Sequence, residues 1–278
     1  MKIIAESSST RTEWALVDGD TIVEHAFTTG LNPFFQTRRE ISHSIRLELP
    51  EAFFRRRWDH VYFYGAGCAN TEKNKIMESS LVAQFKTPVT VESDLLGAAR
   101  GLLVRRSGLA CILGTGSNSC LYNGHEITKT VASLGFILGD EGSGAYIGKT
   151  FIADMLKDIA PEELKQAFFE KYMVTPNVLM DAVYTNPLPS RTLSYYSAFL
   201  AEHLDNAYAY QLVYAAFMRF FTRNIAAYNF KEQPLCFVGS TCMLFKEILY
   251  RAANDFGVEI EKVIRYSMPG LVEYHAAD

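Results

Sequence analysis

Long uncharged apolar runs are missing from this 278-residue chain, and none of its apolar stretches reaches the ~20 residues that a membrane-spanning helix needs. The first eight residues, MKIIAESS, lack the apolar core of a secretory signal. A cytoplasmic protein with no membrane partner is therefore expected. A basic excess is missing too. The 27 Lys and Arg stand against 31 Asp and Glu, a net charge of −4, which gives no field for nucleic acid or an anionic surface. Cysteine is sparse: Cys68, Cys111, Cys120, Cys236 and Cys242 are odd in number, scattered, and never at metal-ligand spacing. Most sit in apolar runs, which predicts reduced core residues. What the chain does have is hydrophobic mass. At 49% hydrophobic, with 19 Phe and 15 Tyr, it can fill the core of one large domain or of two lobes.

Two glycine-rich loops stand out, Gly114-Thr115-Gly116-Ser117-Asn118 and Gly139-Asp140-Glu141-Gly142-Ser143-Gly144, each after a short apolar run. Such loops can bring backbone amides to an anion and carboxylates to a polar ligand. The first belongs to a pattern that occurs twice. Strand, small polar loop, strand, Asx-Gly turn, strand is read near residues 3–27, with its turn at Asp18-Gly19, and again near 110–131, with its turn at Asn123-Gly124. A repeat at about half the chain length implies two related α/β lobes, each opening with a hairpin, and a cleft between lobes is a natural ligand site.

The remaining elements follow from periodicity. Asn32-Pro33 marks a helix start, with Phe34, Arg38, Ile41, Ile45 and Leu49 on one face. Strands are predicted over 60–64 and 89–92, with a helix over 71–85 between them. Ser93-Asp94 then leads into a helix over 95–104 whose Gly97, Ala98, Ala99 and Gly101 allow close packing. Later helices are expected over 150–156, 161–172, 193–204 and 208–228. The last carries Val213, Phe217, Phe220, Phe221 and Ile225 as a core or subunit-interface stripe. A strand over 235–238 enters a third small loop, Gly239-Ser240-Thr241. A helix over 244–256, a strand over 259–264 and a terminal helix over 269–275 complete the chain.

With these loops in this order, the sequence resembles the sugar kinase, actin and heat-shock ATPase superfamily. More narrowly, it resembles the N-acetylglucosamine kinase branch, whose relatives include the activator ATPase of benzoyl-CoA reductase. The matching motifs are the segment from Glu6 to Trp14, Leu31-Asn32, Ser93-Asp94, GTGSN from Gly114, GFILGDEGSG from Gly135, and Val238-Gly239-Ser240. The match is weakest over 151–230. The resemblance implies two ribonuclease H-like lobes with an interlobe cleft: residues 1–108, to which a helix over about 267–278 returns, and residues 109–266. It implies ATP and Mg²⁺ as cofactors, an amino sugar as the small-molecule partner, and a homodimer.

It also implies roles. Asp94 is the general base toward a sugar hydroxyl and part of the sugar site. Asn32, Ser117, Asn118, Gly135, Phe136 and Asp140 bind the sugar. Thr10, Arg11, Thr115, Gly116, Gly239 and Ser240 bind ATP, and Glu6 holds Mg²⁺ through water. The residues themselves leave plainer readings open. Asp94 and Asn32 can be helix caps, Glu6–Thr12 a solvated turn, Glu141 a cap for the helix from Ser143, and Gly239 a packing glycine. Serines also stand in the first loop where the family carries glycines, adding Cβ atoms and hydroxyl donors. Two other functions remain beside the kinase: an activator-type ATPase, and a sugar-binding regulator that has lost catalysis.

Overall fold

The computed structural model describes residues 1–8, 10–55 and 57–276. Ser9 of the first loop and residues 277–278 of the expected terminal helix lie outside the described residues. The chain is α/β and divides into two compact units. One comprises residues 1–110, 120–129 and 266–278, the other 111–119 and 130–265.

The first sheet is built from β1 (Lys2–Ser7), β2 (Arg11–Asp18) and β3 (Thr21–Thr29). After helix α1 (Arg38–Glu48), β4 (His60–Gly65), α2 (Thr71–Phe85) and β5 (Val89–Ser93) complete it, and α3 (Asp94–Leu103) follows. Its order is β3-β2-β1-β4-β5. β1 to β3 form an antiparallel meander, whereas β4 and β5 run parallel to β1. The second sheet takes β6 (Ser107–Leu113), β7 (Ser117–Asn123) and β8 (Ile127–Thr130). Helices α4 (Gly135–Leu138), α5 (Gly144–Leu156), α6 (Glu162–Tyr172), α7 (Pro176–Tyr184), α8 (Pro189–Ser197) and α9 (Ala207–Arg223) come next. Then β9 (Leu235–Val238), α10 (Ser240–Leu244), α11 (Lys246–Phe256), β10 (Ile260–Ile264) and α12 (Met268–Ala276) end the chain. The second sheet reads β8-β7-β6-β9-β10, with β9 and β10 parallel. Numbered within its own half, each sheet has the order 3-2-1-4-5, so the repeat seen in the sequence is a repeat of topology.

Strand period explains how the first sheet is covered on both sides. Ile3, Ala5, Trp14 and Leu16 face a core closed by Ile41 and Ile45 of α1 and Met77 and Leu81 of α2. Ile4, Ala15 and Val17 face the opposite way, onto Met268, Leu271 and Val272 of α12. Each fully buried side chain of this size contributes ~1.5–3 kcal/mol. All five cysteines are buried and none forms a disulfide among the described residues, as their apolar surroundings predict. The stripe on α9 is core: Val213, Phe217, Phe220 and Phe221 are all buried.

Three local readings are corrected. α1 begins at Arg38, not at Pro33, because Thr37 and Glu40 form a reciprocal capping box there, while the Asn32 side chain closes a turn on Phe34 N–H at 2.9 Å. The helix expected over 193–204 starts earlier, at Pro189, and tightens into a 3₁₀ turn over Ala198–Glu202. The helix expected to reach Tyr228 ends at Arg223, with a further 3₁₀ turn over Ile225–Ala227. Among the described residues no helix is long and apolar enough to cross a membrane.

Glycine sets the closest helix crossing in each unit. A Cβ on Gly270 of α12 would stand 1.9 Å from the Gly101 carbonyl oxygen of α3, and one on Gly148 of α5 would stand 1.9 Å from the Leu193 carbonyl oxygen of α8. Alanine ordinarily favours a helix over glycine by ~1 kcal/mol. Here the backbone has to move, so Gly270→Ala and Gly148→Ala should each lose ~1–3 kcal/mol in urea unfolding. A stabilised variant would contradict the close packing.

Candidate active site

The first unit gathers its polar residues at the carboxyl ends of three parallel strands. Registers align Ser7 of β1 with Gly65 of β4, and Gly65 with Ser93 of β5, so Glu6 and Asp94 lie near the ends of strands in one small region. Ser7 is buried and bonds Thr12 Oγ1 at 2.8 Å. It also pins Leu31 twice, donating to its carbonyl at 3.1 Å and accepting its N–H at 2.9 Å. That fixes the next residue, Asn32, beside the strand ends. Gly67 has a positive φ of 80° and lies so close that a Cβ there would stand 2.2 Å from Asn32 Oδ1.

Asp94 is not the helix cap. Ser93 takes that role, its Oγ accepting Leu96 N–H at 3.2 Å. Asp94 is the first residue of α3, and its carboxylate accepts the adjacent Leu95 N–H at 2.9 Å and is also held by its own backbone N–H. Burial raises its carboxyl to about 6 against the stabilising pull of those two amides. Glu6 is raised further, to about 7. Burial is the main cause and the charges of Glu13 and Asp94 add to it, while the Ser267 hydroxyl and Arg11 pull the other way. Cys68 nearby is held as a neutral thiol, pushed up to about 12 by burial and by the Asp94 charge.

No group of three or more metal-ligating side chains is close enough to form a protein cage among the described residues. The mutual repulsion of Glu6, Glu13 and Asp94 nevertheless suits a hydrated divalent cation, which needs few protein ligands. The remaining residues of the first loop are held in other ways. Ser8 Oγ accepts the N–H groups of Thr10 and Arg11, both at 3.3 Å. Thr10 is exposed, and the Arg11 guanidinium lies 4.1 Å from the Phe27 ring and 4.7 Å from that of Tyr266.

The second unit shapes its loop through carbonyls. Gly114 C=O accepts Gly144 N–H at 2.8 Å and Thr241 Oγ1 at 2.8 Å, and Thr115 C=O accepts Ala145 N–H at 3.0 Å. In a trans peptide the following N–H points opposite to the carbonyl. The amides of Thr115 and Gly116 are therefore turned away from α5 and α10, as an anion-binding turn requires. The third loop sits against the same place: Gly239 has φ 137°, and a Cβ there would lie 2.3 Å from the Leu113 carbonyl oxygen. Thr115, Gly116, Gly239 and Ser240 thus share one neighbourhood.

On the other side of the turn, Asp140 Oδ1 accepts Ser117 N–H at 3.2 Å. Asp140 itself adopts a left-handed φ of 57°, a conformation that Asp tolerates better than most residues. Burial raises its carboxyl and the Ser117 amide lowers it. Ser143 caps α5, so Glu141 does not. Instead, buried Glu141 takes Arg223 Nη1 at 2.9 Å. Ser117, Asn118, Asp140, Glu141, Arg223 and Asn224 line a cavity of about 240 Å³, completed by the segment 131–134 and Gly139. Gly135 and Phe136 are not in that wall. They lie on α4, whose end is tied down by Lys149 Nζ donating to the Phe136 carbonyl at 2.6 Å. Arg223 and Asn224 were not legible as part of this wall, because the partner of Arg223, Glu141, is some eighty positions upstream and nothing local marks either residue.

No protein-family model and no curated protein matches the sequence. Solved structures do. A candidate N-acetylglucosamine kinase from Porphyromonas gingivalis is 40% identical, over 100% of this chain and 99% of that one, with a TM-score of 0.96. A second candidate N-acetylglucosamine kinase, from Chromobacterium violaceum, is 16% identical over 98% of both chains, with a TM-score of 0.74. A glucokinase of the ROK family from Streptomyces griseus, solved with glucose and AMPPNP, is 14% identical over 98% of this chain and 97% of that one, with a TM-score of 0.56. The last two likenesses are of fold.

The raised carboxyls have a consequence for stability. Asp94 ionises near 3.8 when exposed and at about 6 when folded. Between these values the unfolded chain is ionised and the folded one is not, so stability falls as pH rises through that window and stays lower above it. Asp94→Asn should therefore be more stable than the parent by ~1–2 kcal/mol at pH 8, with the gain vanishing below about pH 4. Thermal melts across pH check this, and an equal effect of the substitution at both ends would contradict it.

Proposed function

We propose the activity from a plain premise: the chain belongs to the N-acetylglucosamine kinase family, one branch of the actin-like sugar kinases. It is a sugar kinase, and its reaction is the transfer of the γ-phosphoryl group of ATP to the primary hydroxyl of an amino sugar. N-acetylglucosamine is the leading substrate, giving N-acetylglucosamine 6-phosphate. The observation that carries this reading is Asp94, a carboxylate raised to about 6 and relieved of capping by Ser93. A base with that affinity for protons is ionised at neutral pH and still able to accept one.

The hydroxyl proton passes to Asp94, the oxygen attacks the γ-phosphorus in line, and the bond to the ADP oxygen breaks. Catalysis of this kind rests on positioning and charge neutralisation. The outward amides of Thr115 and Gly116 hold phosphate oxygens, assisted by Thr10 and Arg11, and Gly239 and Ser240 take the adenosine. Glu6 would hold Mg²⁺ through water, and the ion supplies the charge that offsets the phosphates. Asn32, Ser117, Asn118 and Asp140 bind ring hydroxyls, with Gly135 and Phe136 beside them. A site built to bond a hydroxyl discriminates strongly against sugars that lack it.

The activator-ATPase alternative needs cysteines able to hold a cluster at the surface between subunits, and all five here are buried. The regulator alternative keeps one observation in its favour, the Ser8 hydroxyl occupying two amides of the first loop. ADP release measured across hexoses and N-acetylhexosamines separates the cases. The kinase reading expects sugar-dependent turnover that Asp94→Asn lowers by ~10²–10⁴ in kcat. Turnover that survives Asp94→Asn would remove Asp94 as the base, and wild-type protein that binds sugar but turns none over would leave the regulator.

A further inference from the structure

One buried polar group in the second unit has no partner and lies in the wall of the sugar cavity. Asn224 is 8% exposed, lines the cavity, and its Nδ2 has no hydrogen-bond partner among the described residues. Leaving such an amide unpaired is costly, and native interiors rarely keep one without a reason. Its backbone is fixed: Asn224 N–H donates to the Phe220 carbonyl at 2.9 Å, and its own carbonyl accepts Ala227 N–H at 3.2 Å. The preceding Arg223 is anchored to buried Glu141. Only the side-chain amide is left to adjust. Nδ2 is itself shielded within the wall, so it reaches the cavity by rotation about χ2, a soft torsion in Asn, with the chain left in place.

We propose that Asn224 is a specificity-determining residue whose side-chain amide donates to the carbonyl oxygen of the sugar's 2-acetamido group. The inference rests on the amino-sugar kinase reading and adds to it the reason why the acetyl group is required. An amide N–H₂ is donor-only, so it selects an acceptor. A sugar hydroxyl can turn either way, an acetamido carbonyl only accepts, and the ammonium of an unacetylated amino sugar only donates. Arg223 on the same wall is neutralised by Glu141, so the choice rests on hydrogen-bond polarity and shape. Val131, Ala132 and Leu134 of the same cavity supply an apolar surface for the acetyl methyl. Asp140, by contrast, offers acceptors suited to ring hydroxyls.

The test compares kcat/KM for N-acetylglucosamine with that for glucosamine, or the ratio of their Kd values by calorimetry where turnover is too slow. Wild-type protein, Asn224→Ala and Asn224→Asp are measured side by side. A merely structural role lowers both sugars together and leaves the ratio unchanged. The proposal expects the ratio to fall at least about tenfold in Asn224→Ala, and further in Asn224→Asp, which keeps the shape but puts an acceptor against the carbonyl and favours the ammonium. Asn224→Asp also serves if the alanine variant fails to fold. An unchanged ratio in a folded, active variant overturns the role of Asn224 and leaves the kinase reading intact. Wild-type protein that neither binds nor phosphorylates either sugar overturns both.

Discussion

The constraint on which the rest depends is the partial withdrawal of Asp94 and Glu6 from water at the carboxyl ends of β5 and β1. A carboxylate in such a place is unfavourable, and the fold accepts it twice, with carboxyls at about 6 and about 7. Both shifts have burial as their largest cause, and for Glu6 like charge adds to it. The supporting residues make sense as the frame for this arrangement. Ser93 releases Asp94 from capping, and Ser7 ties β1 to β2 and to the turn before Asn32. The packing of α12 against β1 and β2 closes the far side of the sheet.

The second unit solves a different problem with the same topology. Its loop has to present amides rather than carboxylates, and it does so by fastening its carbonyls to the start of α5 and to Thr241. Glycine matters here for close approach: Gly239 sits where a Cβ would strike the Leu113 carbonyl oxygen. The duplicated sheets therefore carry unlike groups, two carboxyls of raised proton affinity in one, a turn with outward amides beside a polar cavity in the other. Divergence of the loops on a shared 3-2-1-4-5 sheet is sufficient for that.

Much of this was legible in the sequence because it rests on local signals. Asp18-Gly19 and Asn123-Gly124 between alternating runs give the hairpins, and their recurrence gives the two-lobed α/β fold. What failed was local competition between signals. Asn32-Pro33 looks like a helix start, yet Thr37 with Glu40 three residues on is the stronger one, and Asn32 uses its oxygen in a turn. α4 has only four residues, too few to show a period. Asp94 and Ser93 compete for one cap, and only geometry shows that serine takes it. The wall formed by Glu141, Arg223 and Asn224 was out of reach, since an ion pair across 82 positions leaves no trace in either neighbourhood.

The central claim is that the half-buried carboxylate at the end of β5 must lose its proton for the sugar to be phosphorylated. The pH profile of kcat/KM tests it most directly, because that profile reports groups of the free enzyme. The account predicts an acid limb with an apparent pKa between about 6 and about 7, since Asp94 and Glu6 titrate as interacting neighbours. Turnover should fall about tenfold per pH unit below it. A profile that stays flat from about pH 8 down to about pH 5 would contradict the account.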